Sequence, residues 1–281
     1  MKTSFVEYGG FGFPLHFLHA NGYPFFCYEP FLNLLQTEYS VFGMLLRPLW
    51  ENSNPEELND WHILSEDLLH FLRDYNAGPV IGVGHSIGAV VTLRAALRDP
   101  GKFQALILLD PVLFVPSRLV LWNFFRAVGL GNKVHPKIPG ALKRRRTFDD
   151  LDLVFGGYRN RAVFRYLSDE SLRAYIEGMT APSENGGFQL LYAPEWEARI
   201  YLTGLRDFDI WRGLPDLEVP TLIVRGAETD TFLENAAKLV KRRQPRVQME
   251  TLEKSTHLLP LERPREVFDI MQSFLRVEGV L

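Results

Sequence analysis

Val80-Ile81-Gly82-Val83-Gly84-His85-Ser86-Ile87-Gly88-Ala89-Val90-Val91-Thr92-Leu93-Arg94-Ala95-Ala96-Leu97 is the stretch that decides how this chain folds. Residues 84–88 spell Gly-x-Ser-x-Gly. The apolar run before them reads as a buried strand, and the residues after them read as a buried helix. Strand, sharp turn and helix together give the motif chemical meaning, because the turn lifts the Ser86 hydroxyl above the end of a parallel sheet. It also aims that hydroxyl at the start of a helix, where backbone N–H groups and the helix dipole favour negative charge. A bulky residue at 84 or 88 would hold strand and helix apart.

Outward from this point, short apolar runs alternate with helical patterns, as in a parallel α/β sheet. The strand candidates are 15–18, 41–46, 80–83, 106–109, 221–224 and 249–252, with 4–8 as an edge strand. Several are apolar throughout, as strands covered on both faces tend to be. Trp61, Leu64, Leu68, Phe71, Leu72 and Tyr75 follow helical spacing, with Asn59 or Asp60 as cap. Asp99-Pro100-Gly101 stops the helix after the elbow, and Pro264 opens a final helix with Val267, Ile270, Met271, Phe274 and Leu275 inward.

The rhythm breaks after Asp110. Residues 111–215 show no clean strand–helix alternation and are rich in aromatic side chains. They read as a mostly helical cap inserted above Ser86, so the core is expected at 1–110 and 216–281. The apolar segment Leu119-Val120-Leu121-Trp122-Asn123-Phe124-Phe125 is expected to touch substrate, with Trp122 and Phe125 in the pocket.

Bulk properties narrow the function. The chain has 281 residues, is 46% hydrophobic and 23% charged, and carries a net charge of −3, which points away from nucleic acid. Its single cysteine, Cys27, excludes intrachain disulfides and Cys-based zinc sites and fits a cytoplasmic setting. The N-terminus lacks a signal-peptide pattern, and no run is long and apolar enough for stable membrane insertion. A homodimer is left open. Neither a metal-spaced cluster nor a phosphate or dinucleotide loop is evident, so no metal or cofactor is expected. Gly9-Gly10-Phe11-Gly12 is too short for one.

A serine hydroxyl needs a base. His257 lies between the last strand and the last helix, on the sheet edge that carries Ser86. A carboxylate must orient that imidazole. Asp230, after the strand at 221–224, is the expected acid; Asp110, at the end of the strand following the elbow helix, competes, and Glu228 is a weaker rival. The oxyanion donors are expected to be the Ile87 N–H and one from the loop Phe17-Leu18-His19-Ala20-Asn21-Gly22-Tyr23-Pro24, with Asn21 ahead of Ala20 and Gly22. His19 and His85 read as structural. Lys143-Arg144-Arg145-Arg146 reads as a solvated surface, with an anionic-ligand or surface-binding patch as the alternative.

With these motifs in place, the chain resembles the α/β-hydrolase superfamily over nearly its whole length, and most closely its small capped serine esterase and lipase-like hydrolases. The resemblance rests on 19–24, Gly-His-Ser-Ile-Gly at 84–88, Val-Pro-Thr-Leu-Ile-Val-Arg-Gly at 219–226 and Thr-His-Leu-Leu-Pro-Leu-Glu at 256–262. It implies an α/β-hydrolase fold, a mostly parallel sheet flanked by helices, and hydrolysis of a small-molecule ester through an acyl-enzyme on Ser86. Relatives that open epoxides or remove halogen use an aspartate at the elbow, and Ser86 argues against both. Lactones, thioesters and carbon–carbon bonds remain open to the same serine chemistry. A slow-turnover small-molecule receptor of the same fold is the non-enzyme alternative.

Overall fold

The computed structural model describes residues 3–76 and 78–280. Strands β1 (Phe5–Gly9), β2 (Phe13–Leu18), β3 (Tyr39–Met44), β4 (Val80–His85) and β5 (Phe103–Leu109) come first. Three short strands, β6 (Thr147–Phe148), β7 (Thr180–Pro182) and β8 (Phe188–Leu190), separate them from β9 (Thr221–Gly226) and β10 (Gln248–Leu252). Seven of these form one sheet in the order β1-β3-β2-β4-β5-β9-β10. Only β1 runs antiparallel to its neighbour; the rest pair in parallel. The chain has the α/β-hydrolase fold expected from its motifs.

The all-apolar strands are explained by two cores, one on each face. Val80, Leu106 and Leu108 join the cluster that packs α2 (His62–Tyr75) and α3 (Ile87–Arg98). Ile81, Val83, Ala105, Ile107 and Leu109 point the other way, toward a cluster that takes in α1 (Glu29–Leu35). Because side chains alternate along a strand, a strand covered on both sides must be apolar at every position. The helix breaks fall where local chemistry puts them. Asp60 accepts the His62 N–H at 2.9 Å at the start of α2, and α3 ends at Arg98, before Asp99-Pro100.

Between β5 and β9 the chain forms α4 (Pro116–Ala127), α5 (Gly131–Val134), α6 (Ile138–Leu142), α7 (Leu151–Arg159), α8 (Asp169–Gly178), α9 (Pro194–Thr203) and α10 (Phe208–Gly213). This stretch also holds a small antiparallel sheet, β6-β8-β7, which its sequence did not announce. These strands are two or three residues long, too short for a visible two-residue alternation. The chain closes with α11 (Glu234–Arg243), α12 (Leu259–Glu262) and α13 (Pro264–Val277). Helix α13 starts at Pro264 as expected, and its inward face is Val267, Phe268, Met271, Phe274 and Leu275, with Ile270 only half-buried.

Parallel pairing brings the C-terminal ends of β2, β4, β5, β9 and β10 to one edge. Register does the fine placement: Gly84 pairs with Leu18 on one side and Leu108 on the other, and His85 pairs with Leu109. Ser86 and Asp110 therefore leave adjacent strands at the same level.

Candidate active site

The elbow is as tight as its glycines imply. Ser86 has φ 60° and ψ −118°, a left-handed geometry that costs a non-glycine residue roughly 1–3 kcal/mol. A Cβ at Gly84 would sit 2.5 Å from the Gly88 carbonyl oxygen, and one at Gly88 would sit 2.2 Å from that of Leu18. The Ser86 N–H is held by the Leu109 carbonyl at 3.0 Å.

His257 meets the serine. Its Nε2 accepts the Ser86 Oγ–H at 2.9 Å, and its Nδ1–H donates to Asp110 Oδ2 at 2.7 Å. Asp110 is fully buried and accepts two further bonds, from the Gly226 N–H at 3.1 Å and the Thr229 hydroxyl at 2.6 Å. Those bonds hold the carboxylate in a plane that keeps the proton on Nδ1 and leaves Nε2 free to accept one from the serine.

Asp230, the expected partner, does not meet His257. Its side chain is 71% exposed and faces Lys137 at 3.7 Å. Glu228 is likewise outside, bound to Arg165 and Tyr166. The loop after β9 turns so that Thr229, between the two acids, is the residue that points inward. The signal for Asp110 was present: it is the carboxylate that directly ends the strand beside the elbow strand. Chain order could not separate the two, since Ser, Asp, His holds for both.

Three buried histidines brace the frame. His85 Nε2–H donates to the His257 carbonyl at 2.8 Å, and its Nδ1 accepts from Tyr28 Oη at 2.7 Å. Tyr28 in turn accepts the Ala20 N–H at 3.2 Å. One chain of hydrogen bonds thus joins the 19–24 loop, the elbow and the backbone of His257. His19 bonds the Ala20 carbonyl through Nδ1 and accepts the Leu46 N–H through Nε2, as a structural role requires. His16 similarly accepts the Met44 N–H at 3.1 Å. Burial pushes the imidazole of His16 down to about 3, that of His19 down to about 4 and that of His85 well below its ordinary value.

The backbone N–H groups expected to face an oxyanion differ in whether they already have acceptors. Ile87 opens α3, so its N–H has no acceptor within the helix. Ala20 is committed to Tyr28, whereas no acceptor for the Asn21 backbone N–H is found among the described residues. The Asn21 side chain donates to the Glu197 carbonyl at 3.1 Å and leaves a buried, unpartnered Oδ1. Arg144 is the surprise of the basic run. Instead of lying in solvent, it is part-buried against Glu197 at 2.6 Å and reaches the Gly22 carbonyl at 3.5 Å. Arg145 and Arg146 do stay outside, paired with Asp149 and Glu195.

Ser86 and His257 open into a cavity of about 860 Å³. Asn21, Leu121, Trp122 and Phe125 line it, so both aromatic residues expected in the pocket are there. Trp122 is fixed by its indole N–H on the Gly204 carbonyl at 3.2 Å. Of the apolar segment in α4, Leu119 packs into the core instead and Val120 and Phe124 face outward. The Lys137–Asp230 and Arg165–Glu228 pairs also line the cavity and tie the 111–215 stretch to the loop after β9.

Comparison with known proteins gives the same frame. A model of the alpha/beta hydrolase family matches residues 14–270. The chain is 21% identical to ethanol acetyltransferase 1 of Hanseniaspora uvarum, over 88% of this chain and 74% of that protein. It is 28% identical to epoxide hydrolase 3 of Xenopus tropicalis, over 85% of this chain and 64% of that protein, less than two thirds of its length. The solved structure of E-2-(acetamidomethylene)succinate hydrolase superposes with a TM-score of 0.78 at 20% identity, covering 98% of this chain and 95% of the other.

Proposed function

The chain belongs to the alpha/beta hydrolase family, and we propose that within it this protein is a serine hydrolase that cleaves small to medium apolar carboxylic esters through an acyl-enzyme. The observation that carries this reading is the line Ser86 Oγ, His257 Nε2, His257 Nδ1, Asp110 Oδ2, with separations of 2.9 and 2.7 Å, opening into an apolar-walled cavity. A hydroxyl, a base and an orienting carboxylate in hydrogen-bond sequence are what activated-serine chemistry needs.

In this reading Ser86 Oγ attacks the ester carbonyl carbon while His257 Nε2 takes the hydroxyl proton. The carbonyl oxygen becomes an oxyanion facing the N–H groups of Ile87 and Asn21. His257 then returns the proton to the departing alcohol as the C–O bond breaks. Water, deprotonated by the same nitrogen, attacks the acyl-enzyme, releases the acid and restores Ser86. Asp110 stays ionised and stabilises the imidazolium formed twice in the cycle. The 111–215 stretch acts as a cap, with Leu121, Trp122 and Phe125 as the wall against the substrate's apolar part. Epoxide opening is disfavoured by Ser86, because relatives with that chemistry are expected to carry an aspartate at the elbow.

The test joins covalent labelling to turnover. A serine-directed fluorophosphonate should label the protein stoichiometrically at Ser86, and p-nitrophenyl butyrate should be hydrolysed. Ser86→Ala should abolish both and lower kcat by about 10⁴–10⁶ with the thermal midpoint unchanged. Retention of a tenth of wild-type activity would remove Ser86 from the mechanism. Labelling without turnover would favour the receptor alternative.

A further inference from the structure

Helix α4 buries only Leu119 and Trp122 fully. Val120, Leu121 and Phe124, and Val128 just beyond its end, keep 60, 55, 59 and 51% of their surface open to solvent. Positions 120, 124 and 128 are four apart and 121 lies beside them, so they form one apolar stripe. Leu130 and Val134 extend it. Leu121 and Val134 also line the cavity of Ser86, so the stripe runs into the pocket wall.

Charge is segregated in the same stretch. Residues 111–148 contain eight of the 31 Lys and Arg and none of the 34 Asp and Glu, in a chain whose net charge is −3. Lys137, Arg144, Arg145 and Arg146 are ion-paired with residues outside it. Arg118, which also lines the cavity, and Lys133, both exposed, have no carboxylate within ion-pair distance among the described residues, whereas Arg126 lies half-buried on the side of α4 that carries Leu119 and Trp122. Arg118 lies instead over the ring of Phe114.

We propose that this face is a docking surface for an anionic lipid bilayer, with the α4 stripe set into the headgroup boundary and Arg118 and Lys133 on lipid phosphates. An apolar stripe flanked by unpaired cations is the pattern that lies in an interface, because apolar burial and attraction to anionic headgroups add. The alternative occupant, a second copy, is disfavoured by charge. A two-fold contact through this face would oppose one acid-free basic stretch to another. The mode is peripheral, since among the described residues no helix is long and apolar enough to cross a membrane. Docking brings the mouth of the cavity to the lipid, and it is independent of the bond that Ser86 cleaves.

Flotation with vesicles of phosphatidylcholine alone, or with one third phosphatidylglycerol, tests this. The full chain should float with the anionic vesicles, weakly with the neutral ones, and less in high salt. Val120→Asp with Phe124→Asp should cut the bound fraction about tenfold or more, and Lys133→Glu about fivefold or more. None of these three residues lines the cavity, so hydrolysis of a short soluble ester and the thermal midpoint should stay as in wild type. Absence of flotation with anionic vesicles, or flotation indifferent to salt and to all three substitutions, overturns the proposal. So does a dimer in light scattering that Phe124→Asp abolishes, which would make a second copy the occupant. Because binding is read without turnover, loss of the docking idea and loss of the hydrolase reading remain separable.

Discussion

Two loops leave neighbouring parallel strands at the same sheet edge and treat their carboxylates in opposite ways. After β5, Asp110 is fully buried, with a positive φ and three hydrogen-bond donors around it. After β9, Glu228 and Asp230 face solvent and bind cations of the 111–215 stretch, while Thr229 between them turns in and gives its hydroxyl to Asp110. A strand-end acid is thus only a candidate. The useful one is the acid whose neighbours supply donors, because an ionised carboxylate can be buried only where its lone pairs are satisfied. One loop contributes charge and the other contributes its orientation.

The sharpest way to break this contrast is to neutralise each acid in turn. Asp110→Asn removes the anion that holds the Nδ1–H tautomer of His257, and kcat for a soluble ester should fall by about 10⁴. If Asp110→Asn keeps near-wild-type activity and Asp230→Asn does not, the two loops have been assigned the wrong way round. A smaller effect tests the supporting loop. Thr229→Val takes away one hydroxyl bond to a buried carboxylate, a contact worth roughly 1.5–3 kcal/mol, so kcat/KM should drop about tenfold or more with the fold retained. An unchanged rate would mean that Gly226 and His257 alone suffice to hold Asp110.

The same distinction between buried and solvated polar groups governs stability in acid. His16, His19 and His85 are buried and neutral, with their folded values pushed below the ordinary histidine value by burial. Below about pH 6.5 the unfolded chain takes up protons that the fold refuses, so stability is full above that pH and is lost as pH falls. The slope should approach ~1.4 kcal/mol per pH unit for each histidine between about pH 6.5 and 4. Urea midpoints at neutral and mildly acidic pH measure it; equal midpoints would show that these rings are protonated in the fold. The smallest expected effect belongs to the outer loop. Asp230→Asn removes one exposed ion pair with Lys137, and kcat should stay within about threefold of wild type.

By itself the sequence determined the elements and the chemistry of their ends. All-apolar strands, helical stripes and proline or aspartate breaks are local signals, and they identified the sheet, the turn at Ser86 and the placing of His257 between the last strand and the last helices. They also marked the long break in the rhythm between Asp110 and the strand at Thr221, though not the two- and three-residue strands within it. Only the tertiary structure decided which acid meets His257, because Asp110 and Asp230 both follow strands and both keep the order Ser, Asp, His. It also decided that Arg144 leaves its exposed neighbours to bind Glu197 and the loop at Gly22, and that Val120 and Phe124 face outward while Leu121 and Phe125 face the cavity. Each of these is a matter of which way one side chain turns at the end of an element. For the two polar side chains that direction is set by partners more than fifty residues away, namely Thr229 for Asp110 and Glu197 for Arg144.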